Sequence, residues 1–187
     1  MRMVRDAQAA RLPVSADVPV HQLHLTDHDA LDFDAQCHVT PPLRTLRDRD
    51  ALRQAVREGT IAAICSDHQP HEPDAKEAPF PATLPGISGL ETLLPLTLRL
   101  VQDGVLDLPT AIERLTWGPA RILNLPYGRL DPGQTADVCV IDPEAVWTLD
   151  RATMASAGKN TPFAGWEFIG RVTHTVYEGR LVFRLGS

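Results

Sequence analysis

A chain of 187 residues that is 43% hydrophobic can bury one sizeable core, and its formal charge of −6 leaves no general attraction for nucleic acid or acidic membranes. No apolar run approaches the roughly 18 residues of a membrane span, and no stretch reads as a signal peptide. Cys37, Cys65 and Cys139 are too widely spaced for a disulfide framework or a structural zinc site, so a reducing cytoplasm is the expected location.

In chain order, Met1 to Leu12 predicts a helix with Met3, Val4, Ala7 and Leu12 on one face. Pro13 to Val20 reads as a short valine-rich strand that runs into a loop at His21 to His24. Arg47 to Glu58 predicts a second helix, with Leu52, Ala55 and Val56 inward and Gly59 as its left-handed stop. Ile61 to Cys65 is apolar without polar alternation, the pattern of a parallel strand covered on both faces. The loop Glu72 to Pro85, with its prolines and the Asp74 to Glu77 charges, is long enough to be a functional flap.

Ser88 and Glu91 have capping-box spacing before a leucine-rich helix that runs to about Gly104 and that Pro95 is expected to bend. Further helices are expected at Pro109 to Trp117 and Pro119 to Leu123. Past Pro126 the composition turns to strands and turns: Asp131-Pro132-Gly133 is a turn, Ala136 to Ile141 a strand, and Asn160 to Gly165 an irregular loop. Val172 to Tyr177 and Leu181 to Phe183 read as a hairpin across Glu178-Gly179-Arg180.

The chemistry concentrates where the Ile61 strand ends in Ser66-Asp67-His68-Gln69-Pro70-His71. In an α/β barrel the strand ends form the active face, because the packed interior cannot hold an unpaired charge. A carboxylate with imidazoles one and four residues on can ligate a divalent metal, accept a proton from a water, or bind an anion. The plainer alternative is an aspartate that caps a turn between two solvated histidines.

Over the wider stretch, SDHQPH followed by APF and PGISGLE resembles the dihydroorotase branch of the amidohydrolase superfamily, in which a strand-final aspartate opens a D-H-x-P-H segment. VHQLHLTD and the VTPPLR of Val39 to Arg44 fall where that family carries T-P-H-H-L and N-P-P-L-R. The resemblance implies an α/β fold. Residues 1–126 would be the late portion of a (β/α)8 TIM-type barrel, and residues 127–187 the C-terminal half of a small β-sandwich. A complete barrel needs roughly 250 residues, more than this chain has.

The same resemblance assigns roles. Asp67 matches the aspartate that both ligates a metal and relays the proton of the attacking hydroxide. His71 matches a residue that binds the substrate's carboxylate, Thr40 stands where the family has a substrate-binding asparagine, and Pro85 and Gly86 lie where backbone groups meet the pyrimidine ring. Threonine lacks an amide that donates and accepts at once, which weakens that part of the match. His21 matches a histidine near the site that is not a metal ligand, and Gln22 replaces its neighbour. His68 is expected to orient the Asp67 loop by a hydrogen bond, Cys65 to be strand core, and His24, His28, His38 and His174 to be surface or loop residues.

The family holds one or two zinc ions with a His-x-His pair, a carboxylated lysine and two further histidines. This chain has no His-x-His, and its lysines, Lys76 and Lys159, both fall in loops. Three readings stay open. The chain is the C-terminal part of a dihydroorotase, interconverting dihydroorotate and carbamoyl aspartate in de novo pyrimidine synthesis and inactive by itself. Alternatively it belongs to a non-catalytic dihydroorotase-like partner of aspartate carbamoyltransferase, or to another cyclic amidase such as a hydantoinase or allantoinase. An oligomer is expected in either of the first two cases.

Overall fold

The computed structural model describes residues 1–186. The first half of the chain is built on a β-α-β unit. Strand β1 (Asp17–Pro19) lies parallel to β2 (Ala63–Cys65), paired Asp17 to Ala63, Val18 to Ile64 and Pro19 to Cys65. Parallel strands need a crossover, and helix α2 (Leu46–Arg57) supplies it. Both strands are shorter than the apolar runs predicted, although the ladder reaches one step further through the Ala62 N–H donating to Ala16 O. Pro19 has no N–H to donate and ends β1.

Helix α2 starts at Leu46 because Thr45 caps it, its hydroxyl accepting from the Asp48 N–H and donating to the Asp48 carboxylate. It stops where Gly59 takes φ +80°, as expected. Ala55 and Val56 are buried in one apolar cluster with Val18 and Ile64 of the strands, with Leu52 packed at the edge of the same core. Helix α1 (Arg2–Ala9) is present, but it buries none of its residues, and Met3 and Leu12 are exposed.

Helix α3 (Leu90–Gln102) carries the largest buried face, Thr92, Leu96, Leu98 and Leu100 among it, with Pro95 inside. Its N-cap is Gly89, so the capping box expected of Ser88 and Glu91 does not form. Ser88 Oγ instead donates to Ser156 Oγ, and the Glu91 carboxylate accepts from the Ala155 and Ser156 amides. A nearby loop offers these side chains better partners than their own helix. Helices α4 (Leu108–Leu115), capped by Asp107, and α5 (Trp117–Ile122) follow. Among the described residues no helix is long and apolar enough to cross a membrane.

The C-terminal region is an antiparallel sheet in the order β3 (Val138–Thr148), β4 (Glu167–Tyr177), β5 (Arg180–Arg184). Two strands are longer than predicted: β3 continues past Ile141 through an irregularity that takes in Pro143, and β4 starts at Glu167. Arg180 belongs to β5 rather than to the turn, because Glu178 and Gly179 alone turn the chain, both at positive φ. Among the described residues this is one three-stranded sheet, without a second sandwich layer.

The sheet's inner end is fastened to the barrel part. Leu149, Phe163 and Phe168 share one apolar cluster with Val20, Leu23, Leu96 and Leu100. A Cβ on Gly170 would lie 2.2 Å from Leu98 Cδ1, so α3 and β4 approach as closely as glycine permits. At the far end Leu181 and Val182 stay exposed.

Candidate active-site face

Asp67 sits two residues beyond β2 and takes φ +44°, a conformation that a non-glycine residue adopts only when its surroundings hold it there. Gln69 supplies part of that hold, its side-chain amide donating to Asp67 Oδ1 at 2.9 Å. The neighbouring His68 makes the hydrogen bond expected of it, and the partner is the start of α3. Its Nδ1 accepts from the Gly89 N–H (3.1 Å) and the Leu90 N–H (3.4 Å), which places the ring proton on Nε2. His68 also bridges to Ile87, and the Gln69 N–H donates to Ile87 O, so the segment after β2 runs beside residues 86–88 as a third short parallel stretch.

Four of the five candidate residues come together on this frame. His71 Nε2 lies 3.0 Å from Pro85 O and donates to it. The Gly86 N–H donates to His38 O, and Gly86 O accepts from the Asn160 side chain. Gly86 adopts φ +135°, and a Cβ there would stand 2.5 Å from Gln69 Cβ, so this position admits only glycine. Both polar groups of Gly86 are thus engaged within the protein. Thr40, the fifth candidate, is exposed and enters the neighbourhood through His38, two residues earlier.

His21 lies at the C-terminal end of β1, level with the Asp67 segment, in a 3₁₀ turn (Val20–Leu23) that is wholly buried rather than an open loop. It is 1% exposed and neither ring nitrogen has a hydrogen-bond partner. Burial pulls its pKa down to about 4 against the opposing pull of the Asp67 charge, so the ring is neutral at pH 7. His24, expected to be a surface or loop residue, is half-buried, because helix α3 brings Leu96 O within 2.9 Å of Nε2. Burial first, then Arg53, Arg99 and Arg49, lowers its pKa to about 3. Burial, reinforced by Asp17, pushes the Cys65 thiol up to about 12, so Cys65 offers no thiolate.

These two imidazoles make a pH prediction. In the unfolded chain each takes up a proton near pH 6.5, and in the folded chain only near 4 or 3. Their contribution is therefore complete above about pH 6.5 and is lost as pH falls towards the folded values. Between pH 7 and pH 5 the unfolding free energy is expected to drop by roughly 1–2 kcal/mol per imidazole. Urea titrations at the two pH values check this, and replacing His24 by glutamine should remove its share.

The 72–85 flap is folded rather than open: 3₁₀ turns at Pro73–Lys76 and Phe80–Ala82 shape it, and Lys76, read as part of a charged cluster, is buried with its ammonium donating to Leu84 O. The residue that organises the face most is Asn160, in a stretch that the sequence marks only as an irregular loop. It is buried and joins His71, Gln69, Gly86 and Ser88. Its one sequence signal was an asparagine opening a turn-rich Asn-Thr-Pro segment, and its partners lie some 70 to 90 residues away.

Among the described residues no three His, Cys, Asp or Glu side chains gather into a set that could hold a metal ion. Asp67 has Gln69 and the inaccessible His21 beside it, so the residues present do not make the zinc cradle that the resemblance implies.

The model of the amidohydrolase family matches residues 18–182. A dihydroorotase-like protein of Pseudomonas aeruginosa is 54% identical over 181 residues, covering 97% of this chain and 43% of that protein. A dihydroorotase of Geobacter metallireducens is 43% identical, covering 98% of this chain and again 43% of the relative. The chain therefore spans less than half the length of these curated relatives. Among solved structures, an L-hydantoinase of Arthrobacter aurescens superposes with a TM-score of 0.93 at 28% identity, over 100% of this chain and 43% of that one. The strand-end aspartate, the parallel β-α-β unit and these likenesses agree on an α/β fold of TIM-barrel type, and the chain belongs to the amidohydrolase family.

Proposed function

We propose that this chain forms the C-terminal part of a dihydroorotase-type cyclic amidohydrolase that interconverts dihydroorotate and carbamoyl aspartate. The observation that carries this reading is Asp67 held at positive φ on the strand-end face, with His71, Pro85 and Gly86 gathered beside it. There Asp67 takes the proton of the attacking water as the amide carbon becomes tetrahedral, and returns it to the leaving nitrogen. His71 and Thr40 face the substrate's anionic group, and Pro85 and Gly86 line the ring. The zinc that the resemblance implies depends on donors outside this chain, since the residues here do not form its cradle. Residues 1–126 are assigned to the barrel and 127–187 to the small β domain, in a cytoplasmic, oligomeric protein.

The second reading, a non-catalytic partner of aspartate carbamoyltransferase, is favoured by Gln22 and Thr40. Gln22 stands where the resemblance has a histidine and acts as a buried strut, its amide donating to Pro41 O at 3.0 Å. A chimera separates the two readings: this chain joined to the segment that precedes the matched region in the Geobacter metallireducens dihydroorotase. Dihydroorotate turnover by the chimera, and none by the 187-residue chain alone, is the expected result. A folded chimera without turnover would favour the partner reading, which binding to a carbamoyltransferase would then test.

A further inference from the structure

Asn160 makes four hydrogen bonds to two separate backbone segments. Its Oδ1 accepts from the His71 N–H at 2.7 Å, its Nδ2 donates to Gln69 O at 2.9 Å and to Gly86 O at 3.0 Å, and its own carbonyl accepts from the Ser88 N–H at 2.8 Å. Both amide hydrogens and the oxygen are thus engaged in a buried place, where each bond counts and each orphaned partner is costly. The loop that delivers Asn160 is fastened independently. Glu91 accepts from the amides of Ala155 and Ser156, Lys159 donates to Met154 O, and Gly158 passes so close that a Cβ would stand 2.5 Å from the His71 nitrogen.

We propose that Asn160 is a positioning residue for substrate recognition. It holds the His71 backbone and the Pro85-Gly86 backbone in one register, so that the His71 ring stays locked by its Nε2–H to Pro85 O with Nδ1 left for a ligand, as an acceptor in the neutral ring and as the donor a carboxylate needs once that nitrogen carries a proton. The two ends of the side chain divide the work: Oδ1 fixes the His71 backbone, and Nδ2, through Gly86, fixes the carbonyl that the ring binds. The recognition part of this inference rests on the dihydroorotase reading, in which His71 meets the substrate carboxylate. The locking itself does not.

The test separates the two. In the 187-residue chain, ¹⁵N spectra of the His71 imidazole are expected to show a single Nε2–H tautomer and a protected His71 amide. Asn160→Ala should lose both, with the amide exchanging at least tenfold faster. Asn160→Asp, the milder change in case alanine prevents folding, keeps an oxygen for the His71 amide and removes both donors. It should retain amide protection and lose the fixed tautomer. In the chimera, either substitution should raise KM for dihydroorotate at least tenfold while kcat changes less than threefold. Unchanged His71 signals in a folded variant would overturn the positioning role, and a fall in kcat at constant KM would overturn its link to recognition. If the parent chimera has no turnover, the functional reading fails and the His71 spectra alone decide the locking role.

Discussion

Replacing Asp67 by alanine in the active chimera is expected to reduce kcat by about 10³-fold, near the middle of the range for losing a positioned proton-transfer group. The loss falls on the chemical step, so kcat and kcat/KM should drop together with KM little changed. In the proposed reading Asp67 is poised for that task by its surroundings. The φ of +44° sets it off the line of β2, and Gln69 engages only one carboxylate oxygen, leaving the other for a water or substrate proton. His71→Ala should behave differently, weakening dihydroorotate binding and mattering less for a neutral cyclic amide. Steady-state kinetics of both variants, with metal content checked, reads the contrast. Near-normal turnover by Asp67→Ala would remove the catalytic assignment.

Phe163→Ala is expected to give the largest loss of stability, about 3–5 kcal/mol, because the side chain is fully buried and the space it leaves cannot collapse easily. Phe163 packs edge-on against Trp166 with ring centroids 5.0 Å apart, and the Arg99 guanidinium lies over Trp166, 5.1 Å from its ring centroid. A domain whose total stability is on the order of 5–15 kcal/mol would lose a large share of it. Phe163 is also three residues from Asn160, so the cavity would loosen the loop that spans the candidate active-site face. Urea unfolding should show a lower midpoint at unchanged slope. Met3→Ala, at a residue 84% exposed, should stay within about 0.5 kcal/mol and serves as the control. A Phe163→Ala effect below about 1 kcal/mol would show that the core repacks around the gap.

What could be read from the residues was local. The apolar run before Asp67, the helix from Arg47 stopped by Gly59, and the turn at Glu178-Gly179 are patterns within a few neighbours, and each element is present with its ends moved by a few residues. The ends moved where a partner from elsewhere competed. Thr45 began α2 earlier than read, Pro19 ended β1, and β3 and β4 lengthened because each found the other across an interval of some thirty residues. The motifs around Asp67, together with VTPPLR, were sufficient to place the chain in its family.

Burial and long-range pairing follow from how distant segments pack. His24 looks like a polar loop residue until α3 places Leu96 O against it, and His21 becomes an unpartnered neutral imidazole only because α2 and α3 pack over the turn that carries it. Ser88 and Glu91 have the spacing of a helix cap, yet the loop at Ala155 and Ser156 takes both side chains. Asn160 draws its meaning entirely from amides and carbonyls far along the chain. Which side chains can carry the chemistry and which runs are apolar is legible along the chain, since those are properties of residues and their near neighbours. Which polar groups are shut away from water, and which of them face one another, depends on how distant segments pack, and hydrogen bonds at that range leave no periodicity to read.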